Sequence, residues 1–411
     1  MMSQRTKGRI LSNVRVLDLG RVIAAPFCAR ILSDLGAEVI KVESSTGDFV
    51  RNHPPFYRGG FSGIFTQYNA GKKAVCIDMR NPKGIELIKK LVGLSDVVVE
   101  NFRPGVMEEL GLAYDVLTQV NKKIILCSIS GFGQTGSERD RPAFADVIHA
   151  YSGMDYMAMK VQGPGGAPPG FPYSFSDTYA AINAALAILG ALFYRQTTGE
   201  GQAIDISLLD CILAANDHTL QGFIFSEGAL DAPPMAKPPI RMKDGYMAMT
   251  PMVSFKGIVK AMGRPELAED DRFSKDEIRI EKYADESLRL IKDWAATVTV
   301  AEASALLERH RVPHAKVNSI SEIVNAPVVR ERQMLVEVDM DQSLPPALVL
   351  NTPAKFSHCP TGPQGRPPYL GEHNKPVLRD ILGFSEREIA DLHQRGIISH
   401  DQKHEAHFRE Q

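Results

Sequence analysis

The chain has 411 residues, 44% hydrophobic and 23% charged, with a formal net charge of −2. That is enough apolar chain for a sizeable core divided between domains, and the charge balance excludes a general affinity for nucleic acid or an anionic membrane surface. The opening MMSQRTKGR has no apolar signal-peptide region, and the most apolar run, 180–194, is short of bilayer length. Cys28, Cys76, Cys127, Cys211 and Cys359 are scattered without ligand spacing, and the first four lie in apolar runs. Free thiols and a reduced, cytoplasmic compartment are expected.

In chain order, 14–19 is predicted as a strand, 26–35 as a helix and 38–42 as a strand. A helix at 82–94 and strands at 97–100 and 123–129 follow. Such alternation implies an α/β fold, with parallel strands joined by crossover helices. Residues 163–171, GPGGAPPGF, are loop chemistry, and 178–196, rich in Ala, Ile and Leu, reads as a buried helix. A strand at 203–207 and a helix from Leu208 come next. Near 230 the pattern changes: 231–239 is Pro-rich, 245–250 reads as a strand, and helical stretches cover roughly 254–310. The expected organisation is a large domain over 1–225, a smaller one over 226–325, and a final segment over 326–411.

Several residues are placed to do chemistry. Asp177 puts a carboxylate at a helix start beside a loop, where it reads either as an N-cap or as a reactive group. Val22, Ile23 and Ala24 form a strand-to-helix turn with backbone N–H groups at a helix start; a plain connection with Pro26 in the first turn is the alternative. Asn101, Phe102 and Arg103 follow a buried strand, where ligands bind in open α/β sheets, and Arg103 is a candidate to grip a phosphate. Asn-to-Pro-Gly runs are also ordinary turns. The run GFGQTG at 131–136 fits a dinucleotide fingerprint, but a polar loop follows it where a helix should begin, so a nicotinamide cofactor is rejected. The histidines form no metal pattern, because Pro313 breaks the spacing of His310 and His314.

The blocks VRVLDLGRVIAAPFCARILSDLGAEVIKVE (14–43), GKKAVCIDMRNPKG (71–84), DVVVENFRPG (96–105) and LGL (110–112) occur in that order. Residues 176–207, with TGEGQAIDIS, and GEH (371–373) before LGFSEREIADLHQRGII complete the series. Together they resemble the class III CoA-transferases, the family of formyl-CoA and carnitine CoA-transferases, over nearly the whole chain. The resemblance implies a Rossmann-like large domain whose parallel sheet is built from N- and C-terminal parts, a smaller α+β domain, and an interlocked dimer. It implies coenzyme A as a substrate, with neither metal nor NAD. CoA would move from an acyl-CoA thioester to a carboxylic acid through a mixed anhydride and an aspartyl-CoA thioester, with Asp177 as nucleophile. The helix start is expected to keep that carboxylate ionised.

By the same resemblance, Val22, Ile23 and Ala24 border CoA and the oxyanion. Arg80, Asn101, Phe102 and Arg103 are matched to CoA contacts, with Lys72 and Lys73 as similar candidates. Asp146 is matched to an acidic position near the nucleophile, where assisting the reaction and capping a helix are the two readings. The related α-methylacyl-CoA racemases use a histidine immediately before that aspartate, and Ala145 stands there instead. A racemase needs two bases, so transfer is favoured; His149 is expected to be packed or hydrogen-bonded, with an assisting role open. A racemase or isomerase, and a noncatalytic CoA-binding subunit, are the alternatives. The expected assembly is a homodimer, or a pair with a homologous subunit. His373 is expected to help dock the C-terminal segment.

Overall fold

The computed structural model describes residues 8–53, 57–58, 61–162, 165–216, 219–229, 238–340 and 344–401. Most of the Pro-rich run at 231–239, part of the loop at 163–171 and the tail beyond Asp401 lie outside them. The chain divides into two compact units. The larger comprises Met1–Ala158, Ala167–Leu230 and Glu331–Gln411, and the smaller comprises Met159–Gly166 and Asp231–Arg330. The boundaries read from sequence fall a few residues earlier, and the short early piece of the smaller unit has no sequence signature.

The larger unit is organised by six strands: β1 (Arg15–Asp18), β2 (Glu38–Glu43), β3 (Lys73–Cys76), β4 (Val97–Glu100), β5 (Ile125–Ser130) and β6 (Ala203–Ser207). They form one sheet in the order β3-β2-β1-β4-β5-β6, with every neighbouring pair parallel. Both faces are covered, so successive residues feed two different cores. Val16, Val39, Val97, Ile125 and Cys127 pack with α1 (Ala24–Asp34). Leu17, Ile40, Val75, Val98 and Leu126 pack with a helix at Pro82–Gly93 and with Ile389 and Leu392 of the helix Glu386–Gln394. The order reverses between β1 and β4. In a doubly wound sheet that switch point opens a crevice at the strand C-termini, and residues 19–24 and 101–103 occupy it.

Three further helices of this unit frame the site: α2 (Gly63–Asn69), α3 (Ala145–Tyr151) and α4 (Phe175–Thr198). Helix α4 outruns the 178–196 read from sequence and stops at Gly199, whose φ of +78° suits a left-handed C-terminal cap. Ala180, Ala181, Ala184, Ala185, Ile188 and Ala191 line its buried face. At 24 residues, α4 is long and apolar enough to cross a membrane by length and composition, which the sequence reading missed. Its small-residue face is nonetheless part of the sheet's core.

All six strands come from residues 15–207, so among the described residues the C-terminal segment adds no strand to the sheet. It closes the open edge of β3 instead. The His373 N–H donates to Ala74 O at 2.8 Å, and the Ala74 N–H donates to His373 Nδ1 at 3.2 Å. The Cys76 N–H donates to Asn374 Oδ1 at 2.8 Å. Side chains thus complete hydrogen bonds that an exposed edge would leave open. Burial lowers the His373 imidazole to about 4, consistent with a neutral docking residue.

The smaller unit is α+β. Strands β7 (Ile240–Arg241), β8 (Tyr246–Met249) and β9 (His314–Lys316) form an antiparallel sheet in the order β9-β8-β7. Helices Pro251–Ala261, Ala284–Ala295 and Val300–Arg309 share its core through Phe255, Ile258, Ile291 and Leu307. His314 pairs with the Ser304 hydroxyl at 2.7 Å and Val312 O at 2.8 Å, so both ring nitrogens serve the fold.

Candidate active site

Asp177 stands in the first turn of α4. The N-cap position belongs to Ser174, which makes no side-chain cap bond, so Asp177 is not an ordinary cap. Among the described residues, no other side chain donates a hydrogen bond to its carboxylate. Burial, and then the charge of Asp146, push the carboxyl up to about 7, against the lowering by its own backbone N–H. The expectation that the helix start keeps it ionised is therefore reversed: desolvation exceeds the dipole.

Helix α3 supplies the neighbours. Asp146, its second residue, is exposed, and close enough to act on Asp177. His149 is 1% exposed. Its Nε2 accepts the Ser176 N–H at 3.2 Å, and its ring meets the edge of Phe171 at 5.4 Å between centroids. The first N–H groups of a helix have no intrahelical partner, so His149 does for α4 what a capping side chain would. The acceptor role leaves the neutral ring's proton on Nδ1. Among the described residues, the buried Ser176 hydroxyl has no hydrogen-bond partner. Tyr68 of α2 escaped the sequence reading. Burial and then the charge of Asp177 raise its phenol, and it packs on Phe27 at 5.2 Å.

The turn from β1 to α1 is strained. Val22 has a φ of +66°, rare for a β-branched residue. Its N–H donates to the two Asp48 carboxylate oxygens at 3.1 and 3.2 Å. Ile23 and Ala24 are 7% and 1% exposed, main chain included, so neither side chain faces a ligand. Lys72, a sequence candidate for CoA, is instead internal: its Nζ donates to Asp18 at 2.8 Å, Pro26 O at 2.8 Å and Asn69 at 2.9 Å. Burial lowers its ammonium to about 8. Lys73 pairs with Glu38 at 2.7 Å. Arg80 is exposed and pairs with Asp78 at 3.1 Å, within the turn after β3.

Asn101 sits directly across the switch point. Its Oδ1 accepts the Arg21 N–H at 2.8 Å and its Nδ2 donates to Arg21 O at 2.9 Å. The amide expected to meet CoA is thus occupied in stitching the end of β4 to the end of β1. The Phe102 N–H donates to Glu100 at 2.7 Å, and its ring packs partly against the apolar core. Arg103 lines a cavity of about 260 Å³ with Glu100, Glu108, Tyr114, Ser128 and Asp205. Burial pushes the Glu100 carboxyl up to about 7. The 131–136 run opens no helix; Gly133 takes a φ of +89°, the Gln134 N–H donates to Asp205 at 2.9 Å, and the next helix begins at Ala145.

A family model described as CoA-transferase family III matches residues 11–374. The chain belongs to CoA-transferase family III. It is an enzyme that moves CoA between an acyl-CoA thioester and a carboxylic acid. Among family relatives, the succinyl-CoA–D-citramalate CoA-transferase of Chloroflexus aurantiacus is 34% identical over 97% of this chain and 100% of its own length. The succinyl-CoA–L-malate CoA-transferase beta subunit of the same organism is 32% identical, over 94% of this chain and 98% of its own. The crystal structure of a CAIB/BAIF family protein from Brucella suis superposes with a TM-score of 0.77 at 30% identity, covering 92% of this chain and 100% of that one. The family III match ends at Asn374, within the segment that docks on β3.

Proposed function

We propose that Asp177 is the nucleophile of this CoA-transferase, and that succinyl-CoA and a second dicarboxylic acid are its substrates. The observation that carries the first part is the Asp177 carboxyl itself. It is half-buried, free of a capping role and raised to about 7 by burial and the charge of Asp146. The relatives named for succinyl-CoA with D-citramalate, L-malate, glutarate or mesaconate support the second.

In the reaction, the ionised carboxylate attacks the thioester carbonyl carbon. The C–S bond breaks, CoA leaves as thiolate, and an acyl-aspartyl anhydride remains. The thiolate attacks the aspartyl carbonyl, releases the first acid as carboxylate and leaves an aspartyl-CoA thioester. The acceptor carboxylate attacks that thioester, giving a second anhydride and thiolate. Attack of the thiolate on the acceptor's acyl carbon yields the new acyl-CoA and restores Asp177. Each tetrahedral step develops an oxyanion, for which backbone N–H groups at the start of α1 are the donors in this reading. His149 positions the start of α4, and Asp146 adds to the burial that raises Asp177.

Steady-state kinetics with succinyl-CoA and a panel of dicarboxylates tests this. Parallel ping-pong lines, abolished by Asp177→Ala, are expected. Intersecting lines with an active Asp177→Ala variant would overturn it. The exposed apolar side chains Ile182, Leu186 and Phe193 on α4, 50%, 67% and 70% accessible, support pairing with a second chain. Relatives named as alpha and beta subunits support a homologous partner as the variant form. Light scattering of the purified chain distinguishes a dimer from a monomer awaiting such a partner.

A further inference from the structure

Beneath the β1–α1 turn lies a set of buried charges that the reaction chemistry does not use. Lys41 and Asp48 pair at 3.1 Å, Lys72 and Asp18 at 2.8 Å, and all four side chains are 0% exposed. Two ammonium and two carboxylate groups balance. Taking them out of water is costly unless every donor and acceptor is met, and here the partners are mostly the backbone of the turn. Lys41 Nζ donates to Gly20 O at 2.8 Å, and Asp18 accepts the Gly20 N–H at 2.9 Å. Asp48 accepts the Val22 N–H. Asp48 is itself held: its N–H donates to Glu43 at 2.8 Å, and Arg51 grips Glu43 at 2.7 Å while donating to Pro368 O at 2.8 Å.

The turn is thus fixed from two sides. Asn101 holds both main-chain polar groups of Arg21, and Asp48 holds the N–H of the next residue. Between them Val22 is kept at a φ of +66°, where its Cβ is crowded. A strained conformation persists when its surroundings over-determine it. The rotation at Val22 sets the direction of the peptides that follow, and the N–H groups of Ile23, Ala24 and Ala25 open α1 without intrahelical partners. Pro26 has no N–H to add.

We propose that Asp48 is a positioning residue: its carboxylate holds Val22 in the left-handed conformation and so directs the opening of α1, where Ile23 is the least buried of the first residues, toward the reacting thioester. This deepens, and rests on, the transferase reading above. Asp48 touches no reacting atom. Its effect reaches the substrate through the turn, so it falls on kcat more than on KM, as expected for groups that bind an oxyanion present only in the transition state.

The test uses the full chain with Asp48→Ala and Asp48→Asn, each with and without Val22→Gly. Two readouts are taken: kcat and KM for CoA exchange, and hydrogen exchange of the peptide spanning 20–25. Asp48→Ala is expected to lower kcat at least tenfold with little change in KM, and to speed exchange in that peptide. Asp48→Asn, which keeps one acceptor oxygen, loses less. Adding Val22→Gly to Asp48→Ala is expected to recover at least threefold in kcat and slow the exchange, because glycine adopts positive φ without strain. A purely structural role for Asp48 gives no such rescue. A folded Asp48→Ala, Val22→Gly protein with no recovery overturns the proposal, as does an Asp48→Ala protein with unchanged kcat and exchange. Should Asp48→Ala fail to fold, the Asp48→Asn pair carries the same comparison. A wild-type protein that binds CoA but exchanges none overturns the transferase reading, and the exchange arm alone then decides whether Asp48 holds the turn.

Discussion

Replacing Asp177 by asparagine should stabilise the protein at neutral and alkaline pH while abolishing CoA transfer. Burial and Asp146 lift this carboxyl from 3.8 to about 7. At about 1.36 kcal/mol per pH unit, that corresponds to roughly 4 kcal/mol as an upper value. The unfolded chain loses the proton near 3.8, whereas the folded chain keeps it to about 7. Between those values the folded state binds the extra proton, so stability falls as pH rises; above about 7 both states are ionised and the penalty is constant. Asparagine has the same shape and no charge to desolvate. Expected gains are about 2–4 kcal/mol at pH 8, shrinking to about 1 kcal/mol near pH 4.5. For the larger folding unit, of about 300 residues, that means a Tm higher by roughly 3–6 °C at pH 8. Scanning calorimetry of both proteins at about pH 4.5, 6 and 8 measures the difference. A difference independent of pH, or an asparagine variant less stable at pH 8, would refute desolvation as the cause.

Three further outcomes follow from the site. The pH dependence of kcat/KM should rise through about 7 as Asp177 ionises, and Asp146→Asn should move that midpoint down by about one pH unit or less; an unmoved midpoint separates the two carboxylates. His149→Phe leaves the Ser176 N–H without its acceptor, at about 1–3 kcal/mol, and should lower both Tm and kcat, whereas His149→Gln restores an acceptor and recovers part of each. Asn101→Ala removes two hydrogen bonds to Arg21 and should reduce kcat/KM at least about tenfold; Asn101→Asp, which keeps only the acceptor, should fall between, as initial-rate assays will report.

Residues 14–43 announce a strand, a helix and a strand because their apolar runs are short and separated by turn chemistry, and the doubly wound sheet follows from repeating that pattern. Asp177 was visible through the family resemblance, which matches it to the nucleophile; locally, a carboxylate at a helix start reads first as an ordinary N-cap. Its ionisation was not visible, since propensity reports the helix dipole while the deciding term is burial among residues distant in sequence. The network under Val22 was hidden for a related reason. Lys41 sits in EVIKVE, where alternation reads it as a solvent-facing residue, but β2 is covered on both faces and its lysine must find partners inside. Lys72 meets Asp18 across 54 positions, and Asn101 meets Arg21 across 80. No local pattern encodes such pairings, and no residue preference foretells valine at positive φ. The C-terminal segment was expected to extend the sheet; its GEHN run instead satisfies the edge of β3 with one main-chain bond and two side-chain acceptors, which a strand pattern cannot reveal.

The most direct test of the account is covalent. The protein is incubated with succinyl-CoA, trapped with hydroxylamine or borohydride, digested and weighed by mass spectrometry. A mass change confined to the peptide containing Asp177 and absent from Asp177→Ala is the expected result. An active enzyme that leaves that peptide unmodified, or carries the label on another residue, would contradict it.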